Sequence, residues 1–158
     1  MQGIGKIIMV FTKEDYLPSE AELTIEELPL SSSVLKAGSL YFGQYCDNQS
    51  KEFMLCSQEL KDPRKCLNEG KEVTRCGFEF FKKLKQNCNP EFAAYHECIY
   101  RSGGKGRSMD FRYCRKQQKV LDKCLFEKMG ISRPPIGYFS MVRVHKTDRP
   151  KPAPSDTD

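Results

Sequence analysis

The chain contains no tryptophan and only two histidines, His96 and His145. No stretch approaches the roughly 18 apolar residues of a membrane span, so no transmembrane helix is expected. There is no C-x-x-C, no C-x-C and no adjacent pair of cysteines. A thiol–disulfide oxidoreductase needs such a close, exposed pair with a depressed pKa, and a structural zinc site needs short clips that bring thiolates onto one ion. A secretory signal is missing as well. The start, MQGIGKIIMVFTKEDY, has an apolar run only from Ile7 to Phe11, and acidic residues follow where a cleavage site would stand. The first twenty positions are poor in Arg and Ser, so a matrix transit peptide is not expected either. Both ends of the chain lack cysteine.

What is present is concentrated in the middle. Eight cysteines, Cys46, Cys56, Cys66, Cys76, Cys88, Cys98, Cys114 and Cys124, occupy a chain of 158 residues. That length allows one domain or two small ones. With 39% hydrophobic and 30% charged residues and a mean hydropathy of -0.60, the chain suits a soluble protein of modest cores that gains from cross-links. An even, dense cysteine count favours disulfides and an oxidising compartment. Disulfides without a secretory signal leave few compartments, of which the mitochondrial intermembrane space is one.

Four pieces can be separated. Residues 1–32 form an N-terminal arm with two capping-box patterns, SEAE from Ser19 and TIEE from Thr24, bracketed by Pro18 and Pro29. Residues 33–85 carry the first cysteine quartet. A helix capped within Ser31 to Ser33 is expected to run through VLKAGSLYFGQYC, with Leu35, Phe42, Cys46, Phe53 and Cys56 at helical spacing. The stretch KDPRKC then reads as stop and restart, with Asp62 as N-cap and Pro63 in the first turn. Residues 86–130 repeat the plan. Asn89 and Pro90 open a third helix, RSGGKGRS makes a loop, Ser108 is a candidate cap for a fourth helix, and Gly130 ends it. Residues 131–158 hold five of the nine prolines and read as an extended arm with a disordered end.

The spacing has a physical meaning. Residues ten apart on an α-helix lie about 15 Å apart along the axis and about 80° apart around it. Both can therefore face one neighbouring helix, and two antiparallel helices present matching rungs. Antiparallel order pairs the first cysteine with the last and the two middle ones together. The expected bridges are Cys46–Cys76, Cys56–Cys66, Cys88–Cys124 and Cys98–Cys114. A first-with-third pairing needs parallel helices, which the short Pro-marked turn after Cys56 cannot supply. A bridge between Cys46 and Cys56 within one helix fails, because the Cα atoms of a disulfide lie within about 7 Å. The fold expected is all-α: two tandem antiparallel helical hairpins, each with two disulfides, flanked by extended arms.

Paired C-x9-C segments in a helical hairpin resemble the coiled-coil–helix–coiled-coil–helix (CHCH) proteins of the mitochondrial intermembrane space. Within that group, the segments SSSVLKAG, KEFMLC, KDPRKCLNEGK, FEFFKKLKQNC, YCRKQQKVLDKC and HKTDRP are similar, in that order, to an accessory-subunit family of mitochondrial NADH:ubiquinone oxidoreductase, respiratory complex I. The resemblance runs from about Thr24 to Pro150. It implies import through the disulfide-relay oxidoreductase of that compartment as a transient partner. It also implies a peripheral place on the inner membrane beside other membrane-arm subunits, and a structural role without catalysis or cofactor.

Metal binding is disfavoured by the wide cysteine spacing. Phe42, Phe53, Phe80, Phe81, Phe92 and Tyr95 lie about one turn from a cysteine; packing around buried bridges is favoured over docking to the import oxidoreductase. For the basic run RSGGKGRSMDFRYCRKQQKVLDKC, a solvated face of an amphipathic helix is favoured over a contact for anionic lipid headgroups or an acidic partner. Nucleic acid is not expected, since no groove-reading motif accompanies the charge. IGKIIMVF and PPIGYFSMV are apolar patches that favour a subunit over a free factor. The alternative function is a soluble redox or assembly chaperone of the same compartment and fold.

Overall fold

The computed structural model describes residues 17–103, 110–141 and 143–150. Among these there is no strand, and the elements in chain order are α1 (Glu20–Leu23), α2 (Ser32–Tyr45), α3 (Asp47–Leu60), α4 (Leu67–Ser102) and α5 (Arg115–Met129). The expected all-α fold of helical hairpins with four disulfides is the one present. The glycine loop through residues 104–108, with its candidate cap Ser108, lies outside the described residues, as do the IGKIIMVF patch and the chain after Pro150.

The helices start and stop for local reasons. Ser19 closes a complete capping box with Glu22 at α1. The second pattern, from Thr24, starts no helix: Thr24 is the extended C-cap of α1, and its hydroxyl donates to the Glu20 carbonyl. Asp62 accepts a hydrogen bond from the Arg64 N–H with Pro63 in the first turn, and a 3-10 turn Pro63–Cys66 leads into α4. At the far end Gly130 takes the left-handed conformation (φ 65°) that closes α5.

Two boundaries differ from the sequence expectation. The helix expected to run from Ser33 past Cys56 is broken at Cys46 (φ -102°, ψ 28°), so α2 and α3 are separate helices. Conversely, α4 runs on from the first quartet into the second, bent at one non-helical residue, Cys88 (φ -132°, ψ 33°), two residues before Pro90. Proline there has no N–H to give the preceding turn and crowds it. At this bend the Asn87 carbonyl accepts from Lys128 Nζ at 2.8 Å.

The break at Cys46 has a consequence for packing. It lets α2 leave the line of α3 and lie against the middle of α4, around Gly77, Phe80 and Phe81, with Tyr41 reaching α5. Ala37 and Tyr41 of α2 join Phe80, Leu84, Phe92, Tyr95, Ile99, Leu121, Leu125 and Ile131 in one buried cluster. Contact is close enough that a Cβ on Gly38 would sit 2.7 Å from the Phe81 ring. The two quartets therefore share a core, which lies mostly within the second.

The arms are not merely extended. In the N-terminal arm, Leu28 packs at Gly77 of α4. In the C-terminal arm, Tyr138–Ser140 make a 3-10 turn, and Phe139 lies over Gly43 of α2. Part of the PPIGYFSMV patch is thus covered by the chain's own fold, while Ile136 is fully exposed.

Candidate functional site

Four disulfides are the chemical centre of the molecule. The structure joins Cys46 to Cys76 and Cys56 to Cys66 in the first hairpin, with Cα separations of 6.0 and 5.9 Å. It joins Cys88 to Cys124 and Cys98 to Cys114 in the second, at 6.0 and 5.8 Å. Each hairpin therefore carries two rungs, one at the open end and one beside the turn. No cysteine is free.

The turn-side rungs are built by a repeat that cysteine spacing alone does not reveal. Asp62-Pro-Arg64-Lys-Cys66 and Asp110-Phe-Arg112-Tyr-Cys114 share the pattern D-x-R-x-C. In both, the Asp side chain accepts the N–H of the Arg two residues on and pairs with its guanidinium, at 2.9 Å for Arg64 and 2.7 Å for Arg112. These bonds, chiefly those to Arg64 and Arg112, hold the Asp62 and Asp110 carboxyls below the usual carboxylate range. Each Asp thus starts a 3-10 turn that ends on a cysteine with nearly the same backbone angles: φ -111°, ψ 24° at Cys66 and φ -110°, ψ 23° at Cys114. The cap of the second turn is Asp110. Its signal was the pentad repeated from the first turn.

Around the rungs the two hairpins diverge. Phe80 and Tyr95 are fully buried and Phe92 nearly so, which places three of the six cysteine-adjacent aromatics in the core. Phe42 and Phe81 pack on that core half-buried. Phe53 is half-buried and rests on Gly70, across the first hairpin. Burial also pushes the Tyr95 hydroxyl up to about 12, so it stays neutral.

A polar joint connects the halves. Tyr41, 1% exposed, donates its hydroxyl to Asp122 of α5 at 2.7 Å, and Arg133 of the C-terminal arm reaches the same carboxylate at 3.6 Å. Desolvation and the Asp122 carboxylate both raise the Tyr41 pKa, so this phenol remains a donor.

The C-terminal arm then straps the first hairpin. Tyr138 donates to Asp47 at 3.2 Å, and Arg143 stacks on the Tyr138 ring at 3.5 Å from its centroid. His145 and Thr147 both hydrogen-bond Glu52, at 2.6 and 3.0 Å. Arg149 bonds Glu59 at 2.8 Å and lies 3.5 Å from Glu69, bridging α3 and α4 near the hairpin tip. The bonds from His145 and Thr147 are the main causes holding the Glu52 carboxyl below its usual range. His145 is thus a strap residue. His96 packs against Phe92 with the rings tilted and their centroids 5.7 Å apart.

Chemically, this arrangement braces. Cys56, Cys66 and Glu69, and likewise Cys88, Glu91 and Cys124, bring ligand-type atoms within 4.8 Å of one another. In both groups the sulfurs are joined in a bridge and are not thiolate ligands, so the donor set does not fit a metal. A groove between Leu40, Phe111, Arg115, Arg133 and Phe139 is open to solvent and brings together no nucleophile and base. No helix of the described residues is long and apolar enough to cross a membrane.

No protein-family model matches the chain. Among known proteins it is similar to NADH dehydrogenase (ubiquinone) 1 alpha subcomplex subunit 8-B of Arabidopsis thaliana, 32% identical over 107 residues that cover 68% of this chain and 95% of that protein. Subunit 8-A of the same plant is 34% identical over 93 residues, 59% of this chain and 82% of the relative. The NADH-ubiquinone oxidoreductase 20.8 kDa subunit of Neurospora crassa is 29% identical over 111 residues, covering 69% of this chain and 58% of that subunit.

Proposed function

The chain belongs to the family of alpha subcomplex subunit 8 of NADH dehydrogenase (ubiquinone), respiratory complex I, and from that membership we propose that it is a non-catalytic accessory subunit bracing the intermembrane-space face of the complex. The observation that carries this reading is a relative, itself a complex I subunit, matched over 95% of its length. The mitochondrial and accessory character follows from the family. Placement in the intermembrane space is supported by bridges that form in an oxidising compartment. The absence of catalysis is supported by chemistry: every cysteine sulfur is committed to a bridge, and no reactive pair of the C-x-x-C kind exists.

The finer likeness, to the accessory subunit called PGIV, rests on the ordered segments from SSSVLKAG to HKTDRP. So do the partners: other membrane-arm subunits, and transiently the import oxidoreductase while the thiols are still reduced. Two units, residues 33–85 and 86–130, with arms at 1–32 and 131–158, remain the working division. The four-bridge connectivity belongs to the same proposal.

A native gel with in-gel NADH dehydrogenase staining tests the role. The expected result is comigration of this chain with the stained, large membrane complex. Migration only as a small soluble species would overturn the subunit reading and favour an assembly chaperone.

A further inference from the structure

The outward face of α5 is predominantly cationic. Lys116, Lys119 and Lys123 project from successive turns, and the elements facing the core are Cys114, Gln118, Leu121, Cys124 and Leu125. Beside the lysines stand three large apolar side chains that the fold leaves in solvent: Tyr113 (63% exposed), Val120 (57%) and Phe126 (65%). On that face the one carboxylate paired with these lysines is Glu127, at 3.8 Å from Lys123 in an exposed pair. Arg112 at the head of the helix is held by Asp110. Lys116 and Lys119 have no ion pair among the described residues. Acidic groups lie elsewhere: the Glu52, Glu59 and Glu69 carboxylates of the first hairpin are taken up by the C-terminal strap.

We propose that this face of α5 docks on the anionic phospholipid surface of a bilayer, with Lys116, Lys119 and Lys123 toward the headgroups and Tyr113, Val120 and Phe126 at the interface. Three features select lipid over an acidic protein. The cations follow one another along about 10 Å of a convex helix face, which suits a flat surface of mobile charges. The apolar neighbours include an aromatic with a polar tip, the type that settles at headgroup level. Finally, lysine stems can lie along an apolar boundary while their ammonium groups stay wet. The inference rests on the reading of the chain as a peripheral inner-membrane subunit and adds the face by which it lies there.

The test uses the oxidised full chain and sedimentation with vesicles, either pure phosphatidylcholine or phosphatidylcholine with about one quarter cardiolipin. Each basic residue close to an anionic surface is expected to contribute about fivefold in affinity. The triple variant Lys116→Glu, Lys119→Glu, Lys123→Glu should therefore bind at least about a hundredfold more weakly. Added salt should weaken wild-type binding. A variant of equal charge change elsewhere, Lys65→Glu, Lys82→Glu, Lys85→Glu, should retain most of the binding. Equal loss in both triple variants would show bulk charge rather than a docking face and overturn the proposal. So would failure of the wild type to prefer anionic vesicles. If wild type ignores vesicles while the α5 variant no longer comigrates with the large complex, the face meets an acidic protein instead. Comigration that survives the loss of vesicle binding leaves the subunit reading intact while removing this one.

Discussion

The two hairpins share a cross-link plan and differ in everything around it. In the second, both bridges adjoin a cluster in which Tyr95, Ile99, Leu121 and Leu125 are fully buried, together with Tyr41 from α2. In the first, between residues 47 and 75, only Cys56 and Cys66 are buried; Phe53, Leu55, Leu60 and Val73 are half-exposed. One hairpin therefore has an apolar core that its bridges reinforce. The other has a bridge for a core, and a strap of charged and hydrogen-bonding side chains laid along it. Similar covalent geometry carries different shares of the stability, because the share depends on what else excludes water.

The largest expected effect tests the apolar side. Leu121→Ala empties a fully buried site in the second hairpin, and should cost about 3–5 kcal/mol. Phe53→Ala, at a half-buried site over Gly70, should cost less than half of that. Urea unfolding of both, with bridges intact, measures the difference. Equal losses would mean that the first hairpin has a core of its own.

Next come the bridges. Removing a turn-side rung should cost about 3 kcal/mol in either hairpin by chain entropy, but the consequence should differ. In Cys56→Ser, Cys66→Ser, amide hydrogen exchange should speed up throughout residues 47–75 while the second hairpin keeps its protection. In Cys98→Ser, Cys114→Ser, protection near Tyr95 and Leu121 should persist, because apolar burial remains. Collapse of both hairpins in either variant would contradict the division of labour.

How much of this was legible in the sequence follows from the range of each interaction. The antiparallel rungs, the Asp62–Pro63 restart, the Ser19 capping box and the Gly130 stop are local, and each was readable from spacing or cap chemistry. The break at Cys46 was not, because the stretch QYCDNQ holds no proline or glycine to announce it. The bend at Cys88 was half readable. Pro90 marked it, but a single non-helical residue bends α4 without ending it. Asp110 was readable in principle, once D-x-R-x-C is seen twice. The packing of α2 on α5 through Tyr41 and Asp122, and the strap from Tyr138 to Arg149, join residues about 80 to 95 positions apart. No periodicity encodes such contacts.

Smaller effects sharpen the picture of the joint and the strap. Tyr41→Phe removes the hydroxyl bond to Asp122, and thermal unfolding should report a loss of about 1–2 kcal/mol. Arg149→Ala, at a pair near the surface, should cost less than about 1 kcal/mol globally. It should nonetheless raise exchange at the hairpin tip, where Arg149 bridges Glu59 and Glu69. Glu52 gives the strap a pH dependence. Its carboxyl is held below the usual range, so the stabilisation is present above the unfolded carboxylate pKa and is lost as pH falls through the lower folded value. Limited proteolysis of the arm should therefore accelerate on acidification into that window. Glu52→Gln should flatten the response.

Whether the molecule is a cross-linked brace depends on which cysteines are joined in the working protein. Peptide mapping without reduction, on the chain isolated from mitochondria with its thiols first blocked, reads this directly. The expected result is four linked peptide pairs, Cys46 with Cys76, Cys56 with Cys66, Cys88 with Cys124 and Cys98 with Cys114, and no blocked thiol. A Cys46–Cys56 or Cys66–Cys76 link, or a substantial fraction of blocked cysteine, would contradict a structural brace made of two antiparallel cross-linked hairpins.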